Sequence, residues 1–416
     1  MQTLTPFYKS FREEYPHITT KYATHKIYYY PAAFIPQVVR FILDTYTKPL
    51  DTVLDMFAGG GTVGIESFIS NRRSILIDIN PLLKDIVAIK TFNESIQKQK
   101  LEKDINYILE KNPYLFIPRW DNINHWYHDE ILEKIAKLWG NFYQKELAYP
   151  LIIKFALLYI SRYFSYTDNN IPKLYKSKNK IKKIDNLVAS QQIENLIKEK
   201  FIQRVFTITE AIEELRKITK SRQLPRPITI INDSFNYQLE NKSLEIDCIL
   251  TSPPYLQAQE YIRSTKLDLY WLGYNDTDIR NISKLEIPYR NLPKNYELHS
   301  KLLTDIKKKI NFDSFDKKYQ TIFDSYFFYT LQTLLKYTHY LKKDGKLCIF
   351  VGTPTFKGYH INLWEIITDF FLEKGYTLEQ LYVDPIIAKK LATKRNNKNP
   401  NGINYEYLLI LKKTTK

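Results

Sequence analysis

A chain of 416 residues with 44% hydrophobic residues has enough apolar material for a real core, either two domains or one enlarged α/β domain, and should be globular. Its 61 Lys and Arg against 45 Asp and Glu leave a formal charge of +16, which suits a polyanionic partner such as nucleic acid. No uninterrupted apolar run reaches the roughly 18 residues of a membrane span and the amino terminus has no signal-peptide core, so no membrane association and a cytoplasmic setting are expected. Cys248 and Cys348 both lie in apolar strand-like runs and read as reduced core residues rather than a structural disulfide.

Taken in chain order, residues 1–24 are polar and aromatic without a clear period. The segment 24–36 then leads into an apolar-periodic helix over 38–46, with proline well placed before its start. A short strand over 52–57 is followed at once by Ala58-Gly59-Gly60-Gly61-Thr62 and a helix over 63–70. Glycines let a backbone approach a ligand closely, and exposed amides at a helix start favour a carboxylate or another anion. A second strand over 74–77 ends in Asp78, 23 positions after Asp55, close to the spacing at which a strand-end carboxylate meets ribose hydroxyls in a nucleotide-binding βαβ unit. The turn has Gly61-Thr62-Val63 where a triphosphate loop needs Gly-Lys-Ser/Thr, and a hydride-transfer dinucleotide pattern is met only loosely by Gly59, Gly61 and Gly64. The pattern favours a ligand that carries a ribose and a carboxylate.

Residues 82–226 show no strand-like alternation. Helices are expected over 82–100, 120–140 and 151–164, and Phe201, Val205, Ile208, Ile212 and Leu215 form one apolar stripe of a further helix. Between them a loop over 172–183 carries Lys173, Lys176, Lys178, Lys180, Lys182 and Lys183 around Tyr175; it would track a phosphate backbone or simply be solvated.

The sheet pattern resumes with a β-branched strand over 228–235 that ends in acidic chemistry at Asp233, then the apolar run 246–250. That run empties into Thr251-Ser252-Pro253-Pro254-Tyr255. Two prolines remove two donors and fix two φ angles, leaving the carbonyls of Ser252 and Pro253 free to accept hydrogen bonds in a fixed direction. A planar amine would fit there, with Tyr255 offering a flat face to an extruded base. Prolines that merely end a strand are the plainer alternative, as helix caps are for the aspartates. In a parallel sheet, however, the ends at Asp55, Asp78, Asp233 and Ser252 would line one crevice.

These residues carry a family resemblance. The stretch from Asp55 to Thr62 resembles the cofactor loop of S-adenosylmethionine-dependent DNA amino-methyltransferases, and Thr251 to Tyr255 resembles their catalytic loop. The segment from His25 to Pro36 is similar to one that precedes the cofactor loop in a subgroup, with Tyr29 in place of its second histidine. The resemblance covers residues 25–90, 228–273 and 340–412. It implies a Rossmann-like methyltransferase with a mostly parallel mixed sheet, a catalytic domain from 1–90 and 227–416, and an inserted helical domain at 91–226. It implies S-adenosylmethionine as cofactor, held by Asp55, Phe57, Gly59, Gly61, Thr62, Asp78, Asp233 and Phe34, with Ser252, Pro253, Pro254 and Tyr255 as catalytic residues. The Ser-Pro-Pro-Tyr form is associated with cytosine N4, so the expected reaction is methylation of that amine in double-stranded DNA, beside a cognate restriction endonuclease. Methylation at cytosine carbon 5 would need a Pro-Cys nucleophile, and neither Cys248 nor Cys348 follows a proline. Adenine N6, then RNA guanine N2, then a non-catalytic nucleic-acid-binding protein stand as alternatives. The insert is the first candidate for reading DNA. A second is 274–320 with Arg280, Arg290 and Lys307 to Lys309, and a basic loop over 387–402 with Lys389, Lys390, Lys394, Arg395 and Lys398 would close over the duplex.

Overall fold

The computed structural model describes residues 6–31, 33–168, 174–256, 261–298, 300–386 and 404–413; the expected DNA-closing loop over 387–402 lies outside them. Eight strands form one sheet: β1 (Phe7–Tyr8), β2 (Thr52–Asp55), β3 (Arg73–Asp78), β4 (Ile228–Ile231), β5 (Ile246–Thr251), β6 (Leu341–Gly352), and, after the small hairpin of β7 (Thr355–Phe356) and β8 (Tyr359–His360), β9 (Tyr376–Pro385) and β10 (Tyr405–Lys413). Their order is β1-β9-β10-β6-β5-β2-β3-β4. Only β10 runs against its neighbours β6 and β9; the other pairings are parallel. From β2 the chain builds outward through β3 and β4 on one side, then returns to start β5 and β6 on the other. The order therefore reverses between β2 and β5, the place where open α/β sheets leave a crevice at the carboxyl ends of the strands.

The central strands are buried on both faces, and their side chains alternate strictly. Leu54, Ile75, Ile77, Ile249, Leu347, Ile349, Leu409 and Leu411 enter a core with the helices Lys317–Tyr337 and Leu363–Glu373. Val53, Leu76, Cys248, Leu250, Cys348, Phe350, Leu408 and Ile410 enter the opposite core with the helix Pro36–Tyr46. Period-two burial on both faces is what parallel strands covered by helices require. Both cysteines are buried and free, with their Sγ atoms 3.8 Å apart on adjacent strands.

The helices of 91–226 share a core with the rest of the chain. Lys98–Leu109, Asp129–Gln144, Pro150–Tyr163 and the 27-residue helix Ile193–Thr219 bury their stripes with Leu82, Ile86 and Ile89 from the helix Leu82–Lys90 and with Leu267, Leu269 and Trp271 from the helix Tyr261–Trp271. The stripe from Phe201 to Leu215 is wholly buried, as packing demands. Trp271 is a core residue, its indole N–H on the Tyr127 hydroxyl at 2.8 Å.

Four expectations need correction. The helix over 82–100 is two helices, Leu82–Lys90 and Lys98–Leu109, with a non-helical link between them. The basic stretch 172–183 is helical from Lys178, where Ser177 caps the helix Lys178–Ala189 by accepting from the Lys180 amide. The helix over 120–140 is two, Ile123–Trp126 and Asp129–Gln144, and within 274–320 lie the helices Asp276–Ser283, opened by a capping box on Asn275, and Lys301–Lys309. Among the described residues no helix is long and apolar enough to cross a membrane.

Candidate active site

At the reversal point a cavity with about 870 Å3 of open space is lined by the ends of four parallel strands and the loops after them. Asp55 ends β2, Asp78 ends β3, Asp233 follows β4 and Ser252 follows β5; all four line the cavity, together with Phe34, Phe57, Gly59, Gly60 and Pro254. Gly61, Thr62, Pro253 and Tyr255 stand behind this lining rather than in it. Gly61 has φ +73°, and a Cβ there would lie 2.5 Å from Val87 Cγ2, so this turn faces the neighbouring helix. Thr62 and Pro253 are buried. The Tyr255 hydroxyl donates to Glu406 Oε1 at 2.8 Å, anchoring the loop to β10.

Hydrogen bonds within the turn take up amides that the sequence left open to an anion. The Gly59 amide donates to Asp78 Oδ2 at 2.8 Å and the Gly61 amide to the Ala58 carbonyl at 2.7 Å. Asp78 Oδ1 accepts the Asn80 amide at 2.8 Å, so each carboxylate oxygen keeps a lone pair for a ligand hydroxyl. Burial raises the Asp78 carboxyl above its ordinary range, opposed by these amides. Asp55, 2% exposed, accepts the Thr251 hydroxyl at 2.6 Å and the Phe57 amide at 3.0 Å on Oδ1; burial pushes it up to about 7. One side chain from β5 thus fastens the cofactor-type corner to the double-proline corner.

The loop after β4 is clamped from below. Lys336 donates to the carbonyls of Ser234, Phe235 and Tyr237 at 2.6 to 2.7 Å. Asp233 accepts the Phe235 amide at 3.0 Å and pairs with Arg290 at 2.5 Å. Arg290, expected to face DNA, is instead held over the rings of Phe235 and Tyr329 by the buried carboxylate.

The Ser252 hydroxyl donates to the Phe350 carbonyl on β6 at 3.0 Å. Its one hydrogen is spent there, so its lone pairs remain as acceptors at the cavity. Phe350 also stacks on Phe34, with centroids 5.3 Å apart.

Sequence reasoning missed Tyr30, Tyr261 and Glu286, which complete the lining. Tyr30 packs on the glycine turn so closely that a Cβ at Gly60 would lie 2.8 Å from its own Cβ. Glu286 accepts the Ile262 amide at 3.0 Å, tying a distant loop to the cavity wall.

Four parallel strand ends, a glycine turn and an acceptor-bearing proline corner around one cavity define a Rossmann-like α/β fold with a ligand crevice at its reversal point. The family model described as DNA methylase matches residues 6–90. The type II methyltransferase M.MvaI of Kocuria varians is 28% identical over 298 residues, 64% of this chain and 61% of its own length. M.BsoBI of Geobacillus stearothermophilus is 24% identical over 62% of this chain and 54% of its own length. M.AvaI of Nostoc sp. is 21% identical over 86% of this chain and 80% of its own length. The matched region thus spans between half and two thirds of the first two relatives. By these matches the chain is similar to DNA amino-methyltransferases, whose methyl donor is S-adenosylmethionine.

Proposed function

We propose that this chain methylates the exocyclic N4 amine of cytosine in DNA, using S-adenosylmethionine bound along Asp55, Phe57, Gly59, Asp78, Asp233 and Phe34. The cavity fits that ligand by its chemistry: Asp78 keeps acceptor positions for ribose hydroxyls, and Asp55 and Asp78 supply negative charge for a cationic group. When bound, the cofactor supplies a sulfonium-activated methyl group.

The protein's task is to make a poor nucleophile attack. An aminopyrimidine nitrogen has its lone pair delocalised into the ring. Accepting its two hydrogens at Ser252 Oγ and at a carbonyl of the proline corner draws the nitrogen towards tetrahedral geometry and frees the lone pair. The observation that carries this is the Ser252 hydrogen bond to Phe350, which leaves Ser252 an acceptor. Tyr255, behind the lining with its hydroxyl on Glu406, would hold the proline corner in place from outside the cavity. Pro253 and Pro254 keep the corner rigid and free of competing donors.

A charge of +16 suits a DNA partner, and the type II names of the relatives favour a restriction-modification setting with a cognate endonuclease. The test is incubation with labelled cofactor and plasmid DNA, followed by nucleoside mass spectrometry. N4-methylcytosine is the expected product. N6-methyladenine would overturn the base assignment, and label in tRNA but not in the plasmid would overturn DNA as substrate.

A further inference from the structure

A second cavity, with about 1150 Å3 of open space, lies across a shared wall from the first. The wall consists of segment 28–31 and the helix Tyr261–Trp271. Asn80 ties its two parts together by donating to the Tyr30 hydroxyl at 3.3 Å and to Thr265 Oγ1 at 3.1 Å. Tyr30 lines the first cavity and Thr265 the second.

The second cavity holds several convergent polar groups. Asp268 is 3% exposed and accepts the Tyr28 hydroxyl at 2.6 Å. Arg162 reaches the same wall and donates to the Ser264 carbonyl at 3.2 Å. Across from them Arg204, on the helix Ile193–Thr219, lies 4.8 Å from the centroid of Tyr159. One of its terminal nitrogens holds the Ile27 carbonyl. Its Nε is buried with no hydrogen-bond partner, and no carboxylate among the described residues acts on it. A partly buried cation without a carboxylate beside it has lost hydration that a backbone carbonyl and a ring replace only in part. An arriving anion would reverse that loss, and a guanidinium fork matches phosphate.

Aromatic faces surround this cation. Tyr159 is 38% exposed and stacks on Tyr163 with centroids 5.8 Å apart, and Tyr29 is 73% exposed. Lys180 sits 4.8 Å from the centroid of Tyr163, adding a second positive charge at the rim. Solvent-facing rings beside cations are the surface that single nucleotides use, base on ring and phosphate on charge.

We propose that the second cavity seats a nucleotide of the DNA other than the one that is methylated, its phosphate on Arg204 and its base against Tyr159 and Tyr29. This rests on DNA being the substrate. Because Asn80 joins the two cavities, occupancy of the second is set in register with the first.

The test is anisotropy of a fluorescein-labelled random-sequence DNA duplex titrated with the full chain, comparing wild type with Tyr159→Ala and Arg204→Gln. Each variant is expected to lose about fivefold or more in DNA affinity, the loss of one stacked base or one phosphate contact, with S-adenosylmethionine affinity kept. Arg204→Gln should also lower the slope of log affinity against log salt by about one, and Tyr159→Ala should not. Phe206→Ala removes a ring exposed on the same helix outside the cavity and should change nothing. Unchanged DNA affinity in Tyr159→Ala, an equal loss in Phe206→Ala, or stronger binding of an RNA duplex than of DNA would overturn the proposal. A wild type that binds DNA through these residues but leaves plasmid unmethylated would sink the methylation reading alone. Methylation with all variants binding as wild type would sink this proposal alone.

Discussion

Asp55 has a carboxyl pushed up to about 7 by burial, with both bonds to Oδ1 made inside the protein. Its folded value is raised, so in the unliganded protein it contributes stability at low pH that is lost as pH rises from about 4 to about 7. A cationic ligand favours the ionised form. Cofactor affinity should therefore rise from about pH 6 to about pH 7.5, with a proton released on binding at the lower end. Calorimetry in buffers of different ionisation enthalpy reads that proton, and Asp55→Asn should abolish it; binding at pH 6 without proton release would contradict the assignment. Asp55, Asp78, Asp233 and Ser252 were legible in the sequence because each follows an apolar run that ends abruptly in polar chemistry. Tyr30, Tyr261 and Glu286 were not, because they reach the cavity from elements whose own patterns say nothing of where they dock.

At the scale of elements, the turn between β2 and the helix Thr62–Ile69 is the most constrained piece of backbone at the site. Gly61 combines a φ of +73° with a Cβ position 2.5 Å from Val87, so a side chain meets both backbone strain and a clash. Gly61→Ala should cost about 2 kcal/mol or more, seen as a lower Tm, with weaker cofactor binding as the turn shifts. A variant as stable as wild type would show that the turn can relax. The glycines announced the turn in the sequence. Their employment differs from the expectation that they open amides to an anion, since the Gly59 and Gly61 amides are used within the protein. That choice depends on Asp78 arriving from the next strand, which no local pattern contains.

At the scale of the whole molecule, the alternation of the central strands was readable, and with it the sheet's two covered faces. The stripes of the 91–226 helices were readable too, but a stripe states which side is buried and not against what. The structure answers with Leu82, Ile86, Leu267 and Trp271, which lie outside 91–226. A chain lacking 91–226 would expose these side chains, and is expected to be insoluble or to lose cooperative thermal unfolding by circular dichroism. A sharp unfolding transition in that truncated chain would show instead that the sheet and its remaining helices fold alone.

These scales meet at Ser252, whose single hydrogen is committed to Phe350 while its lone pairs face the cavity. The most direct measurement is the single-turnover rate of methyl transfer to plasmid DNA at saturating cofactor, for wild type and Ser252→Ala, with cofactor affinity measured alongside. The rate should fall by about a hundredfold while cofactor affinity holds. Equal rates in the two proteins would contradict the account.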